Sequence, residues 1–251
     1  MSERRYRVAV VARHPIQYQA GLWRALAAHP RVDGHVLFLD TMGVDGTLDP
    51  TLNAPLQWDV PLLEGYPHEF VRNLSPARFT DIVDRINPGI GAALRRGGFD
   101  AVIVHGYLSI SNWWALRAAR KAGVKVVYRG EGSLRGRALY DGALAKLVKH
   151  PINRAFLERC DAVAYSSSDN RDYQLTRGAH PEQLFPFPCA VDNGQLGELR
   201  KHAAPRAEVR RAHGVPEDVL LALSAGRFTA HKRPADCIEA LAAPALAGRG
   251  D

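Results

Sequence analysis

Short unbroken apolar runs recur along the chain, and stretches of helical spacing separate them. Arg7–Ala12 is the first run, and Gln19–Ala28 follows with Leu22, Trp23 and Leu26 on one helical face. His35–Leu39, Asp100–His105, Val124–Tyr128, Asp161–Tyr165 and Leu184–Phe187 repeat the strand pattern. Ile90–Arg96, Asn112–Ala122, Leu139–Cys160 and Asp169–Arg177 repeat the helical one. Gly123 is placed to end one helix and Ser168 to cap another, while Pro151 should break or kink the long one. Asp40–Pro76 carries Gly, Pro and Asp punctuation and reads as irregular. Continuous apolar strands alternating with helices predict an α/β fold, a doubly wound parallel sheet covered on both faces with right-handed crossovers. Ligands of such sheets bind beyond the C-terminal strand ends. That singles out Arg13–Tyr18, His105–Tyr107, Arg129–Ser133, Ser166–Ser168 and Cys189–Asn193.

After residue 190 the texture changes. Residues 191–217 hold Arg200, Lys201, Arg206, Arg210 and Arg211 and read as an interdomain linker, with 1–190 as the N-terminal domain. From 218 a second unit begins: Val219–Ser224 predicts a strand, Arg227–Pro234 its loop and Ala235–Ala243 a helix. One β–α unit cannot bury its own apolar faces, so 218–251 reads as the incomplete start of a C-terminal domain.

Composition adds little against this. Of 251 residues, 46% are hydrophobic and 24% charged, ordinary for a globular chain. Three scattered cysteines give neither a disulfide framework nor metal spacing, and no metal or cofactor is expected. No stretch reaches membrane length, and a cytoplasmic protein is expected. The formal charge of +7 favours phosphate-bearing partners, or is simply a solvated basic surface. The basic residues are spread over several predicted helices, which disfavours a nucleic-acid partner.

The segment Gly226-Arg227-Phe228-Thr229-Ala230-His231-Lys232 lies between a predicted strand and helix. Gly226 permits a tight turn, Arg227 and Lys232 supply two cations, and the helix start supplies N–H donors. Together they would hold a diphosphate without a metal.

Gly226-Arg227-x4-Lys232 followed by Asp236-x-x-Glu239 resembles the opening of the donor domain in the retaining glycosyltransferases of family 4, which have GT-B architecture (two Rossmann-like domains). Phe187–Asp192 resembles that family's P-x-G-V-D element, with Ala190 at the glycine. His14-Pro15-Ile16-Gln17-Tyr18 and Trp58–Tyr66 resemble one bacterial branch. The order of these motifs, over essentially the whole chain, carries the resemblance.

It implies a glycosyltransferase that moves a sugar from a nucleotide-sugar donor to a glycan or lipid-linked acceptor, with retention, in polysaccharide or glycoconjugate biosynthesis. Arg227 and Lys232 would bind the donor's diphosphate, and His105 would lie beside the transferred sugar. His14 and Gln17 would lie against acceptor and donor phosphates. Arg129 and Glu131 could bind sugar hydroxyls or form a salt-bridged turn, and the glycines of Arg129–Ser133 would let a ligand approach. The family's Glu-x7-Glu motif would fall after Asp251, so the chain alone is expected to be inactive or nearly so. The helix at Leu139–His150 reads either as docked on the sheet or as peripheral contact with the inner face of an anionic membrane. A nucleotide-sugar epimerase of similar architecture, or a non-catalytic module binding nucleic acid or another partner, are the alternative readings.

Overall fold

The computed structural model describes residues 4–46, 48–49, 54–55, 58, 60–76, 82–135, 143–226 and 232–242. The chain divides into two compact units, Met1–Asp192 and Asn193–Asp251.

The first unit is the predicted parallel sheet. Its strands are β1 (Tyr6–Ala12), β2 (Val32–Phe38), β5 (His68–Phe70), β6 (Ala101–His105), β7 (Lys125–Arg129), β8 (Ala162–Tyr165) and β9 (Leu184–Pro186). They run in the order β5-β2-β1-β6-β7-β8-β9, every neighbouring pair parallel. β3 (Leu48–Asp49) and β4 (Ala54–Pro55) form a separate antiparallel ribbon. β5 lies inside the stretch read as irregular. Its three half-buried residues form an edge strand on β2, too short to show a periodicity.

Alternation along β1 divides two cores. Ala9 and Val11 join Val102, Val104, Val126 and Tyr128, covered by α2 (Ile90–Gly97), α3 (Ile110–Lys121) and α4 (Ala143–Leu157). Val10 and Ala12 face the other way with Val36 and Phe38, against Ala20 and Trp23 of α1 (Gln17–Ala28) and against Tyr66. Each large side chain fully buried this way contributes about 1.5–3 kcal/mol. α4 continues through Pro151 instead of breaking there; Phe156 and Leu157, both fully buried, hold its C-terminal turn despite the lost hydrogen bond. The predicted start of this helix at Leu139 lies outside the described residues. α5 (Ser168–Thr176) is capped by Ser167, not Ser168: the Ser167 Oγ accepts the Asn170 N–H at 3.2 Å.

Two aspartates lock the N-terminal edge of the sheet. Asp100, just before β6, accepts the Arg7 N–H at 2.8 Å and pairs with Arg4 at 2.7 Å. Asp161, just before β8, accepts the Val126 N–H at 2.8 Å and pairs with Lys125 at 2.8 Å. The Arg7 amide and then Arg4 hold the Asp100 carboxyl below its usual range. At Asp161 burial acts the other way, but the Lys125 and Val126 hydrogen bonds outweigh it and the pKa is again lowered.

The second unit comprises α6 (Asn193–Lys201), α7 (Arg206–Ala212) and α8 (Ala235–Leu241). Arg210 is buried and donates to the carbonyls of Pro216 and Val219. The predicted strand at Val219–Ser224 is not formed. Among the described residues no strand pairs with this run, and Leu223 is 85% exposed. Without a neighbour, an apolar run has nothing to hold it extended.

Candidate functional site

The strand order reverses between β1 and β6, and there the C-terminal strand ends open a crevice. A cavity of about 270 Å³ lies at this edge, lined among others by Arg13, Arg85, His105, Tyr107, Asn112 and Tyr128. Glu131 and Tyr173 complete its far wall.

The β6–α3 turn is built tightly. Gly106 has φ +84°, a left-handed conformation that glycine adopts without strain, and its N–H donates to the Arg129 carbonyl at 2.9 Å. Asn112 Nδ2 donates to the His105 carbonyl at 3.0 Å. Ser109 caps α3 through its Oγ, which accepts the Asn112 N–H at 3.2 Å; the helix therefore starts two residues before the sequence pattern suggests. The His105 ring packs edge-on to Trp23, ring centroids 5.7 Å apart. The residue is half-buried, but its Nε2 is sealed from water and has no hydrogen-bond partner among the described residues. Asn112 Oδ1 and Arg129 Nε share that condition. Burial, and then the Arg129 guanidinium, lower the His105 pKa to about 3. His105 is thus a neutral imidazole at physiological pH, fit to donate or accept one hydrogen bond.

This has a measurable consequence. Between pH 6.5 and about 3 the unfolded chain protonates this imidazole and the folded chain does not, so the unfolded state binds more protons and stability falls as pH falls. Urea unfolding at pH 7 and pH 4.5 should show that loss, and His105→Phe should make it smaller. An identical pH dependence in the variant would remove His105 as a source.

Arg129 ends β7 beside His105 in register. Its side chain is only 4% exposed, stacks over Phe187 at 4.7 Å and points Nη2 at Cys189 Sγ, 3.7 Å away. Glu131 Oε1 lies 4.0 Å from Arg129 Nη2 and accepts from the Cys189 thiol at 3.9 Å. Phe187–Asp192 thus crosses the site's rim. The Tyr18 hydroxyl is held above its usual pKa by burial and then by Glu131.

His14 and Gln17 follow β1 but do not line the cavity. His14 is buried, its Nδ1 donating to the Pro15 carbonyl at 3.0 Å, and burial lowers its pKa. Gln17 is exposed on the first turn of α1. The glycines of Arg129–Ser133 make room for protein rings. A Cβ at Gly130 would sit 2.0 Å from the Tyr128 hydroxyl, and one at Gly132 would sit 2.4 Å from Tyr173 Cε1. Gly226 and Lys232 are exposed in the second unit, and Arg227 lies outside the described residues.

The sequence pattern does not reveal a charged cluster at the cavity wall. Asp84 is buried between Arg13 Nη2 at 2.9 Å and Arg85 Nη1 at 2.6 Å. Beneath it, Asn87 Nδ2 donates to the carbonyls of Leu39 at 2.9 Å and Val71 at 2.6 Å, and its Oδ1 accepts from Ser111 Oγ at 2.8 Å. The only hint is a charged pair, Asp84-Arg85, set just before Ile86-Asn87-Pro88 with no periodicity around it.

Among the described residues no helix is long and apolar enough to cross a membrane. No curated protein sequence matches the chain. Solved structures resemble it at low identity, which shows the fold alone. Sucrose-phosphate synthase from Thermosynechococcus elongatus is 14% identical, covering 90% of this chain and 56% of that one, with a TM-score of 0.53. Anabaena HepE in complex with UDP-glucose is 10% identical, covering 97% of this chain and 67% of that one, with a TM-score of 0.50. A UDP-GlcNAc 2-epimerase from Methanocaldococcus jannaschii fits less well, 14% identical over 85% of this chain and 54% of that one, with a TM-score of 0.44. The chain thus spans little more than half the length of the synthase. The family model of the Glycosyl transferase 4-like domain matches residues 2–190, so the chain belongs to that family and its first unit is a glycosyltransferase domain.

Proposed function

We propose that this chain is the acceptor-side half, with the beginning of the donor-side half, of an enzyme that transfers a sugar from a nucleotide sugar to a glycan or lipid-linked acceptor with retention of configuration. The observation that carries this is the cavity at the strand-order reversal, where a neutral His105 stands among tyrosines and an Arg13–Asp84–Arg85 cluster in a domain of this family. Tyrosine faces and charged hydrogen-bonding groups suit sugar rings, and a neutral imidazole suits a hydroxyl. In this reading His105 bonds the transferred sugar, and Arg129 holds the rim that Glu131 presents to the acceptor. Arg227 and Lys232 neutralise the diphosphate, as Gly226 lets the backbone turn there. His14 acts by fixing the start of α1 and Gln17 by reaching solvent-side phosphate. UDP-glucose, which HepE holds, is the first donor to try.

The test is sugar transfer from UDP-glucose and other nucleotide sugars, with the product's anomeric configuration read by NMR. Two proteins are compared: the 251-residue chain, and a chimera with a complete donor half from a family member. The chimera should transfer with retention and the chain alone barely, and His105→Ala in the chimera should lower turnover about 10²-fold, the scale of a lost transition-state hydrogen bond. A sugar or nucleotide sugar inverted at one carbon, formed equally without any acceptor, would favour an epimerase. Unchanged turnover in His105→Ala would take His105 out of the site.

A further inference from the structure

A second concave site lies on α3, away from the cavity, and shares no residue with it. Trp113, Trp114, Arg117, Arg120, Lys121 and Arg159 line a groove of about 590 Å³ between α3 and the turn after α4. The volume lies within the range of ligand-binding clefts. Spacings of three, four and seven along α3 bring these side chains to one side of the helix, so the adjacent tryptophans, which cannot share one direction, form two walls of one slot. Trp113 is fixed edge-to-face on Phe156, 5.1 Å between centroids at 88°. Trp114 is 38% exposed.

The cations divide by what else they do. Arg120 Nη1 donates to the Arg159 carbonyl at 2.8 Å, and with Lys121 it lies in the last turn of α3, where positive charge suits the helix dipole. Arg117 lies mid-helix and, like Lys121, makes no hydrogen bond or ion pair among the described residues. No carboxylate lines the groove; Asp161 lies within electrostatic reach of Arg120, while Arg117 and Lys121 carry positive charge with no ion pair among the described residues. Tryptophan and arginine together are the residue types that anchor protein interfaces. A concave slot admits a narrow segment and excludes a flat bilayer.

We propose that this groove docks an acidic segment of a partner protein, one that sets carboxylates against Arg117 and Lys121 and a large apolar side chain against the Trp114 indole. The proposal stands apart from the sugar-transfer reading, since it needs neither the cavity nor a donor.

It is tested by fluorescence anisotropy of a short fluorescein-labelled peptide in which glutamates alternate with leucine and tryptophan, added to the 251-residue chain. Saturable binding is expected. R117E/K121E should weaken it at least about tenfold, and W114A by about the same order, as for an interface anchor. The charge-matched exposed pair R200E/R211E on the second unit should leave it unchanged. Absence of saturable binding, or equal weakening by both charge-reversal pairs, would overturn the proposal. So would a result in which R117E/K121E abolishes binding to phosphatidylglycerol vesicles but not to the peptide.

Discussion

Replacing Asn87 with leucine is expected to lower the unfolding free energy by about 3 kcal/mol, the cost of leaving buried carbonyls without donors. Asn87 is fully buried and ties α3, through Ser111, to the ends of the paired strands β2 and β5, through the carbonyls of Leu39 and Val71. Its own N–H donates to Ser111 Oγ at 2.8 Å, and the single Ser111 hydroxyl proton is shared between Asn87 Oδ1 and the Arg85 carbonyl, 2.9 Å from Oγ. Leucine has a similar branched shape and keeps the backbone N–H bond to Ser111, but it leaves the Leu39 and Val71 carbonyls without the amide donor. Urea denaturation at pH 7 measures the loss. A change under about 1 kcal/mol would mean that water or a shifted side chain replaces the amide, and that the network is not what holds this corner.

Gly132→Ala is expected to cost about 1–3 kcal/mol, the range for overfilling a packed site, and to close part of the cavity. The new Cβ would meet three atoms of the Tyr173 ring at 2.4, 2.7 and 2.9 Å. That ring cannot simply swing away: it is almost fully buried and carries Arg177 over its face at 4.8 Å. The easiest relief is movement toward the cavity it lines. Thermal unfolding reads the stability and a sugar-binding titration by NMR reads the cavity. A variant as stable as the parent, with unchanged binding shifts, would show that the ring has room elsewhere.

Much of this architecture is legible in the residues because the central strands carry unbroken apolar cores. β1, β6, β7 and β8 fall close to where Arg7–Ala12, Asp100–His105, Val124–Tyr128 and Asp161–Tyr165 place them. β5 is not legible, since an edge strand of three half-buried residues needs no apolar run. Val219–Ser224 shows the opposite: the pattern permits a strand, but pairing decides whether one exists. At the site, His105 and Glu131 were accessible to reasoning because strand ends of a parallel sheet face the ligand. Asp84 was not, because it reaches Arg13 and Arg85 from a stretch with no period, and only the fold brings residues 13 and 84 together. The glycines at 130 and 132 were legible as positions needing space. What occupies that space, a tyrosine ring in each case, depends on contacts the local sequence does not encode.

The clasps at Asp100 and Asp161 separate two tasks along the length of each strand. Carboxylates grip the amides of the neighbouring strands from below, so part of what keeps the strands aligned lies away from the opposite rim. The rim is therefore freer to change. Substitutions at Tyr107 or Glu131 can reshape the cavity while the foundation stays put, which is how one scaffold can carry many different sites.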